Sequence, residues 1–230
     1  MTINILHLVE GAKKARGLTV VIDVFRAFSL ACYMTDLGTE RIIPVEDIDM
    51  AYKLKAENPD YLLAGEREMK MPQGFDFGNS PFEIINTDLT GKTIVHTTSA
   101  GTKGIVNVLS SEVILTGSFV NAGAIAGYII KRKPEEVSLV CMGYSARRKV
   151  EEDDYCAQYI KNTLENRSSD FRMMVNHIRK TSGRRFFNKE TQNHCPEEDF
   201  YLCLDLNRFD FVLKAIKTSD GLISLVREDV

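Results

Sequence analysis

The sequence predicts an α/β protein built in three layers, α/β/α, around a largely parallel or mixed central sheet. From residue 18 to residue 165, short apolar and β-branched runs alternate with segments of helical periodicity. This alternation is typical of parallel strands whose connecting helices cover both faces of the sheet. After residue 206 the alternation stops, and two apolar runs flank the turn 218–221, TSDG, which predicts a C-terminal antiparallel hairpin.

The predicted elements follow one another in the order that a layered α/β fold requires. The strands are predicted over residues 18–25, 40–45, 61–66, 92–98, 112–117 and 136–143, and the hairpin over 211–217 and 222–228. The helices are predicted over residues 26–38, 46–60, 101–109, 120–133 and 151–165, with a mostly helical segment over 168–206. Gly38 closes the first helix. Asn58 and Pro59 stop the second, because the residue before a proline disfavours helical geometry.

Composition and charge are those of an ordinary globular protein. With 230 residues, 44% of them hydrophobic and 27% charged, the chain can bury a sizeable core, and we expect one domain over residues 1–230. The charged run 131–135, KRKPE, is either a surface loop or the boundary between two lobes of that domain. A net charge of −3 gives no basic footprint for nucleic acid or for an anionic membrane.

The sequence also bears on the compartment. The chain does not begin with a basic region followed by an apolar run, and no segment reaches the ~18 apolar residues of a membrane span. Five cysteines without paired metal spacing fit reduced thiols better than a disulfide framework. We therefore expect a cytoplasmic protein that has neither nucleic acid nor a membrane as its partner.

Unusual polar residues fall at the carboxyl ends of five predicted strands, where ligands bind in open α/β sheets. Asp23 and Arg26 follow the first strand, and Gly-Glu-Arg, 65–67, ends the third. The fourth strand leads into 97–102, TTSAGT, which starts a helix; the fifth ends in Gly-Ser and the sixth in Cys-Met-Gly, 141–143. Backbone N–H groups at a helix start, with guanidinium groups nearby, favour a phosphate site over an ordinary Ser/Thr cap.

Carboxylates at the same edge predict a magnesium site. Asp23, at the end of an apolar strand, is costly to bury unless it is paired or bound to metal. Asp76 lies between two phenylalanines in the loop 74–83, GFDFGNSPFE. Mg²⁺ commonly binds one or two carboxylates together with waters and phosphate oxygens, so these two residues are candidate ligands. Glu152 and Asp153 open a helix, and their alternative role is to stabilise its N-terminus.

Cys141 offers a different chemistry. Arg147 lies six positions after it, the spacing of thiolate phosphatases, in which a thiolate of low pKa attacks phosphorus. A buried strand-end cysteine is the alternative, and Val140 stands where such enzymes usually have histidine. His194 and the nearby cysteines do not complete a ligand set for zinc, so we predict no zinc site.

Taken together, several loops resemble the 2-phosphosulfolactate phosphatase family. The matching stretches, in order from about residue 18 to residue 210, are VIDVFRAFS, GERE, GFDFGNSP, TTSAGT, VCMGY, EDDYCA and EEDFYLCLDLNRFD. The resemblance implies an α/β/α fold and an Mg²⁺-dependent acid phosphatase that hydrolyses 2-phosphosulfolactate to sulfolactate, a step toward coenzyme M. It implies a small phosphoester as the binding partner, and we expect the assembly to be a homodimer.

The resemblance and the strand-end positions together give each candidate residue a role. The candidate catalytic residues are Asp23, Arg26, Arg67 and Cys141. The candidates for binding the substrate and its phosphate are Asn79, Ser80, Thr97, Thr98, Ser99, Gly101 and Thr102. The candidate ligands for Mg²⁺ are Glu66, Asp76, Glu152 and Asp153.

Several positions depart from the family pattern. Ala100 stands where the family usually has Asn before Gly-Thr. Phe28 and Leu30 replace hydroxyl residues, and Glu68 takes the place of a usual glycine. Of these, Ala100 and Glu68 favour, as an alternative function, a non-catalytic relative that keeps the fold and binds anions.

Overall fold

A mixed sheet of nine strands runs through the structure, a computed structural model that describes residues 1–230. The strands are β1 (Thr2–His7), β2 (Gly17–Ile22), β3 (Arg41–Val45), β4 (Leu62–Gly65), β5 (Thr93–Thr97), β6 (Ser111–Gly117), β7 (Glu136–Cys141), β8 (Phe211–Lys217) and β9 (Ile223–Asp229). The α-helices are α1 (Leu8–Lys14), α2 (Ala27–Asp36), α3 (Ile48–Glu57), α4 (Pro81–Ile84), α5 (Gly101–Asn107), α6 (Ala122–Arg132), α7 (Glu151–Leu164), α8 (Phe171–Lys180) and α9 (Glu197–Cys203). Short 3₁₀ helices span Phe119–Asn121 and Ser182–Phe187.

The predicted α/β class, the strands and the C-terminal hairpin are confirmed, but the sequence did not indicate β1 and α1. None of the residues of β1 is fully buried, because this strand lies at the edge of the sheet. It therefore lacks the continuous apolar run that marks a central parallel strand. α1 has only 7 residues, too few to show a helical period.

The sheet contains two groups of parallel strands joined by the hairpin. Its strand order is β1-β7-β2-β6-β8-β9-β3-β5-β4. The first group is β1, β7, β2 and β6, and the second is β3, β5 and β4. The hairpin of β8 and β9 lies between them and pairs antiparallel with both neighbours. It therefore occupies the middle of the sheet.

Helix α2 packs between the two groups. Its residues 27–34, AFSLACYM, are small or apolar on every side and all are buried, as expected of a helix that is enclosed all round. One core cluster joins α2 to Val21 and Val140 of the first group and to Ile42 and Ile94 of the second. Fully burying a large apolar side chain stabilises the fold by roughly 1.5–3 kcal/mol, so α2 ties the groups together strongly.

The outer faces of the two groups have separate cores. On the first group, residues such as Val20 and Leu139 pack against α6 and α7. On the second group, Ile43 and Val95 pack in a smaller cluster with residues of α3. Residues 131 and 132 of the run KRKPE end α6, and residues 133–135 form its short connection to β7, with Lys133 in a left-handed conformation. No helix combines the length and the apolar character that crossing a membrane requires.

The carboxyl ends of both groups meet at one place, although three antiparallel steps separate them in the sheet. Asp23 follows β2, and Gly101 starts α5 just after β5. A Cβ atom at Gly101 would lie 2.8 Å from Asp23 Oδ2 and 2.9 Å from Ala27 Cβ. Because strands in a sheet twist progressively, the sheet can turn around α2 and bring opposed strand groups to a common edge.

Candidate functional site

A cavity lies where the carboxyl ends of the two strand groups meet. Eight of the predicted site residues line it: Asp23, Arg26, Glu66, Asn79, Thr98, Ser99, Glu152 and Asp153. Lining residues to which the sequence gave no role include Phe25, Met69, Tyr144 and Arg185. The cavity thus holds four carboxylates and two guanidinium groups.

Asp23 is the carboxylate that follows β2, and it is only 6% exposed. Its Oδ1 accepts a hydrogen bond from Ala27 N at 3.3 Å, at the start of α2. Burial raises the pKa of Asp23 to about 7, and the charges of Glu66 and Glu152 add to the rise. Gly101 permits the approach of α5 because any side chain there would collide with the Asp23 carboxylate.

Glu66 is fully engaged with the backbone. Its Oε1 accepts from Ser99 N at 2.8 Å, and its Oε2 accepts from Met69 N at 2.8 Å. The carboxylate therefore joins the loop after β4 to the loop after β5. Both contacts are hydrogen bonds to an ionised acceptor, which are stronger than neutral ones.

Asp153 plays a matching part on the other side of the cavity. Its Oδ1 accepts from Val24 N at 2.9 Å, and its Oδ2 accepts from Gly143 N at 2.8 Å. These bonds fix the first turn of α7 to the ends of β2 and β7. Burial raises the pKa of Asp153 well above its usual range, and the nearby charges of Asp23 and Glu152 raise it further.

Glu152 differs because its carboxylate is buried but poorly satisfied. It is 2% exposed, and its Oε2 has no hydrogen-bond partner. Its Oε1 lies 3.8 Å from Arg185 Nη2, which is an ion-pair distance without a hydrogen bond. Burial raises the pKa of Glu152, and Arg185 opposes the rise. Oε2 of Glu152 and the nearby carboxylate of Asp23 together offer oxygen ligands, the type that a hard cation such as Mg²⁺ prefers.

Arg26 is held by an aspartate to which the sequence gave no role. Arg26 Nη1 lies 2.6 Å from Oδ2 of Asp199, a fully buried residue of α9. Oδ1 of Asp199 accepts from Ser80 Oγ and from Phe82 N, both at 2.9 Å. One carboxylate therefore fixes Arg26 and the loop GFDFGNSP together. In the sequence, Asp199 is one of three consecutive acids in the first turn of α9, where acids are common, so no local signal separates it from Glu197 and Glu198.

Arg185 is the second guanidinium of the cavity. It belongs to the 3₁₀ helix 182–187, and its Nη2 donates to Phe25 O at 3.4 Å. Its guanidinium lies 5.5 Å from the Phe25 ring centroid and 5.9 Å from that of Tyr144. Stacked, partly buried arginine is suited to bidentate binding of phosphate, carboxylate or sulfonate. No motif or strand end marks Arg185 in the sequence.

Arg67, Thr97 and Thr102 brace the loops around the cavity without lining it, and Thr98, which does line it, belongs to the same network. Arg67 Nη2 donates to Glu46 O at 2.9 Å and to Thr97 Oγ1 at 2.8 Å, and its Nη1 donates to Glu66 O at 2.7 Å. Thr102 N donates to Thr98 Oγ1, and Thr98 N donates to Thr102 Oγ1, which closes the first turn of α5. The hydroxyl of Ser80 is likewise engaged with Asp199.

Asp76 lies on the outer side of its loop. It is exposed, and its Oδ2 accepts from Leu63 N at 2.8 Å. Lys55 Nζ is 3.9 Å from the same oxygen. The carboxylate thus pairs the loop to the start of β4. The structure brings four of the five predicted acidic residues together and leaves Asp76 outside the cavity.

The sequence that forms this cavity is similar to that of a known protein family. The chain matches the model of the family described as 2-phosphosulpholactate phosphatase over residues 4–217. It belongs to that family. The matched range contains every residue that lines the cavity.

Proteins with a similar sequence occur in several organisms. A protein of Thermoplasma volcanium is 30% identical over 92% of this chain and 96% of its own length. One of Thermotoga petrophila is 37% identical over 66% of this chain, and the match covers 64% of its length. One of Caldanaerobacter subterraneus is 29% identical over 85% of this chain and 86% of its length. Each is described as a "probable 2-phosphosulfolactate phosphatase".

The geometry of Cys141 disfavours thiolate chemistry in this family member. Cys141 is 2% exposed, does not line the cavity, and its thiol donates to Asp153 O at 3.4 Å. Burial raises the pKa of Cys141 well above its usual range, so the thiol stays protonated at neutral pH. Arg147 is exposed on the surface, where it cannot hold a phosphate beside this sulfur.

Proposed function

We propose that the protein is an Mg²⁺-dependent phosphatase that hydrolyses 2-phosphosulfolactate to sulfolactate and phosphate. The observation that carries the proposal is the cavity itself, in which buried carboxylates with raised pKa values lie beside two guanidinium groups. Such a cluster is unfavourable without a cation and an anion to complete it. Membership of the family gives this chemistry a substrate class.

Asp23 and Glu152 are the residues that would hold the ion. Their oxygens are the least engaged with the backbone, whereas both oxygens of Glu66 and of Asp153 accept backbone N–H groups. When bound, Mg²⁺ would supply charge neutralisation at the phosphate oxygens during phosphoryl transfer. Glu66 and Asp153 would instead brace the loops of the cavity, Glu66 on the side of the second strand group and Asp153 on the side of the first.

Arg26 and Arg185 would bind the anionic groups of the substrate. 2-Phosphosulfolactate carries a phosphate, a carboxylate and a sulfonate, more negative charge than one divalent ion can neutralise. Arg26 is oriented by Asp199 and Arg185 by the Phe25 carbonyl, so their planar groups are preorganised. Preorganised donors cost less reorganisation during the reaction than mobile ones.

Sulfolactate is the product that would lead toward coenzyme M, and we propose that this step takes place in the cytoplasm. All five cysteines are free thiols, which fits a reducing compartment.

The test is phosphate release by the full chain from a small panel of phosphoesters, with Mg²⁺ or with EDTA. We expect turnover of 2-phosphosulfolactate with Mg²⁺, strong inhibition by EDTA, and slower turnover of 2-phospholactate, which lacks the sulfonate. Cys141→Ser should retain activity and Glu152→Gln should not. Turnover that survives EDTA but not the serine substitution would contradict the metal assignment.

The second candidate is a non-catalytic anion-binding protein, and Ala100 is the observation that favours it. Ala100 lines the cavity as the N-cap of α5 and supplies no side-chain hydrogen bond there. Glu68, another departure from the family pattern, is exposed and does not line the cavity. Tight binding of 2-phosphosulfolactate by calorimetry without phosphate release, restored to turnover by Ala100→Asn, would establish this function instead.

A further inference from the structure

Three side chains that can bind metal lie together outside the cavity. They are His7, the last residue of β1, Cys141, the last residue of β7, and Asp154 in the first turn of α7. Their ligand atoms all lie within 4.8 Å of one another. His7 Nε2 and Asp154 Oδ1 are already 2.8 Å apart.

The fold places these three groups independently of the catalytic cavity. His7 and Cys141 are register partners on adjacent parallel strands, so their side chains leave the sheet on the same face. Successive residues of a helix point about 100° apart. Asp153 therefore lines the cavity, whereas Asp154 reaches His7. The first turn of α7 separates the cluster from the cavity.

The donor set differs in kind from the carboxylates of the cavity. A thiol, an imidazole and one carboxylate suit a borderline cation such as Zn²⁺, whereas Mg²⁺ prefers oxygen ligands alone. We propose that His7, Cys141 and Asp154 form a second metal site, for a zinc-like divalent cation, with water as the fourth ligand. The thiol proton passes to solvent on binding. The proton shared by His7 Nε2 and Asp154 Oδ1 is exchanged through solvent so that the neutral imidazole carries its hydrogen on Nδ1, and two coordinate bonds replace the hydrogen bond between His7 and Asp154.

The distances and the exposure are compatible with such a site. Zn–S bonds of about 2.3 Å and Zn–N bonds of about 2.0 Å place tetrahedral ligand atoms about 3.5 Å apart. The three ligand atoms already lie within 4.8 Å of one another, so a small adjustment of the side chains would bring them to this spacing. The His7 and Asp154 side chains are 22% and 44% exposed, which opens a path from solvent. Cys141 is the buried ligand of the site, on the side away from solvent.

Metal binding at this second site would act on the catalytic cavity through one contact, the one between Cys141 and Asp153. The Cys141 thiol now donates to Asp153 O, and a metal-bound thiolate has no proton to donate. Asp153 is the residue that fixes α7 to the ends of β2 and β7. The cation would therefore tie β1, β7 and α7 together, and we expect it to raise the thermal stability of the chain.

The experiment uses Co²⁺ as a spectroscopic probe on the purified full chain, after removal of metals and in excess Mg²⁺. We expect one equivalent of Co²⁺ to produce a thiolate-to-metal charge-transfer band that Zn²⁺ displaces. Cys141→Ser should abolish the band. His7→Ala and Asp154→Asn should each weaken Zn²⁺ binding at least ~10-fold, about 1.4 kcal/mol, and remove the rise in Tm that Zn²⁺ causes in the wild type.

Two controls separate this site from other metal-binding groups. Cys156→Ala removes a buried thiol from α7, the helix that carries Asp154. Asp23→Asn alters the catalytic cavity. Both variants should keep the charge-transfer band. No band in the wild type, or Zn²⁺ affinity unchanged in His7→Ala and Asp154→Asn, would overturn the proposal. Because these two side chains are partly exposed, their variants decide the outcome even if Cys141→Ser fails to fold.

Discussion

The two strand groups contribute carboxylates to one cavity, but they hold them differently. On the wall from the second group, Glu66 accepts a backbone N–H at each oxygen and the loops are cross-braced by Arg67. On the wall from the first group, Asp153 is braced in the same way. Beside it, however, Glu152 keeps an oxygen without a partner and Asp23 has a pKa raised to about 7 by burial. The contrast indicates that the second group supplies a preassembled support, whereas the first supplies the groups that a cation would complete.

The largest effect that this contrast predicts is the loss of catalytic activity in the variant Glu152→Gln. The amide keeps the shape but loses the charge that would hold the ion, so we expect kcat/KM to fall at least ~100-fold, about 2.7 kcal/mol. Without metal, the free energy of unfolding should not fall, because a desolvated charge has been removed. Steady-state kinetics over a range of Mg²⁺ concentrations checks the first result and urea unfolding in EDTA the second. Near-wild-type kinetics would mean that Glu152 does not bind the ion.

The matched change on the other wall, Glu66→Gln, should act on stability. Glutamine has one acceptor oxygen, so its amide NH₂ would face either Ser99 N or Met69 N, a donor against a donor. We expect the free energy of unfolding to drop by ~1–3 kcal/mol. Mg²⁺ affinity should change less than in Glu152→Gln. If Glu66→Gln instead removes metal binding and leaves stability unchanged, the two walls have the reverse roles.

The two predicted arginines give the next comparison. Arg26→Lys loses a planar group inside the cavity, and we expect kcat/KM to fall at least ~10-fold with the fold intact. Arg67→Lys should lower the free energy of unfolding by ~1 kcal/mol, because lysine cannot reach Glu46 O and Thr97 Oγ1 together. Its kcat/KM should stay within ~3-fold of wild type. A larger loss of kcat/KM in Arg67→Lys than in Arg26→Lys would mean that Arg67 takes part in catalysis or substrate binding.

A smaller effect concerns pH. The pKa of Asp23 is about 7 in the folded chain against 3.8 as its ordinary value, so the folded state binds more protons between these values. The free energy of unfolding in EDTA should therefore fall as pH rises from about 4 to about 7. Asp23→Asn should flatten this slope, and Mg²⁺ should oppose it by favouring the charged form. Thermal unfolding across that range, with both proteins in the same buffers, makes the measurement.

The smallest expected effect is at Glu68, in the loop that follows Glu66. Glu68 has a φ of 53°, a left-handed conformation that glycine adopts without strain. We expect Glu68→Gly to raise the free energy of unfolding by ~0.5–1 kcal/mol, with kinetics unchanged because the side chain is exposed. A loss of stability would mean that the side chain makes a contact outweighing the strain.

Much of the fold was predictable because its central strands are continuous apolar runs. The relation of the two groups was not, since the antiparallel hairpin that joins them comes last in the chain. The strand-end rule still located Asp23 and Glu152. It could not identify Asp199, which meets Arg26 across 173 positions of sequence, or Arg185, which lies in a segment without a motif. Long-range pairing of this kind is fixed by tertiary packing and leaves little local pattern.

The position of the hairpin also sets the order in which the molecule can assemble. β8 and β9 follow the other seven strands in the chain but pair with β6 and β3 in the middle of the sheet. Each parallel group can form from its own β-α units as it is synthesised, whereas the join must wait for residues 211–229. Contacts between distant parts of a chain close slowly because the loop entropy is lost first. Until the ribosome has released that segment, the nascent chain would carry two half-sheets with exposed edges, the stage at which chaperone binding or aggregation would compete with folding.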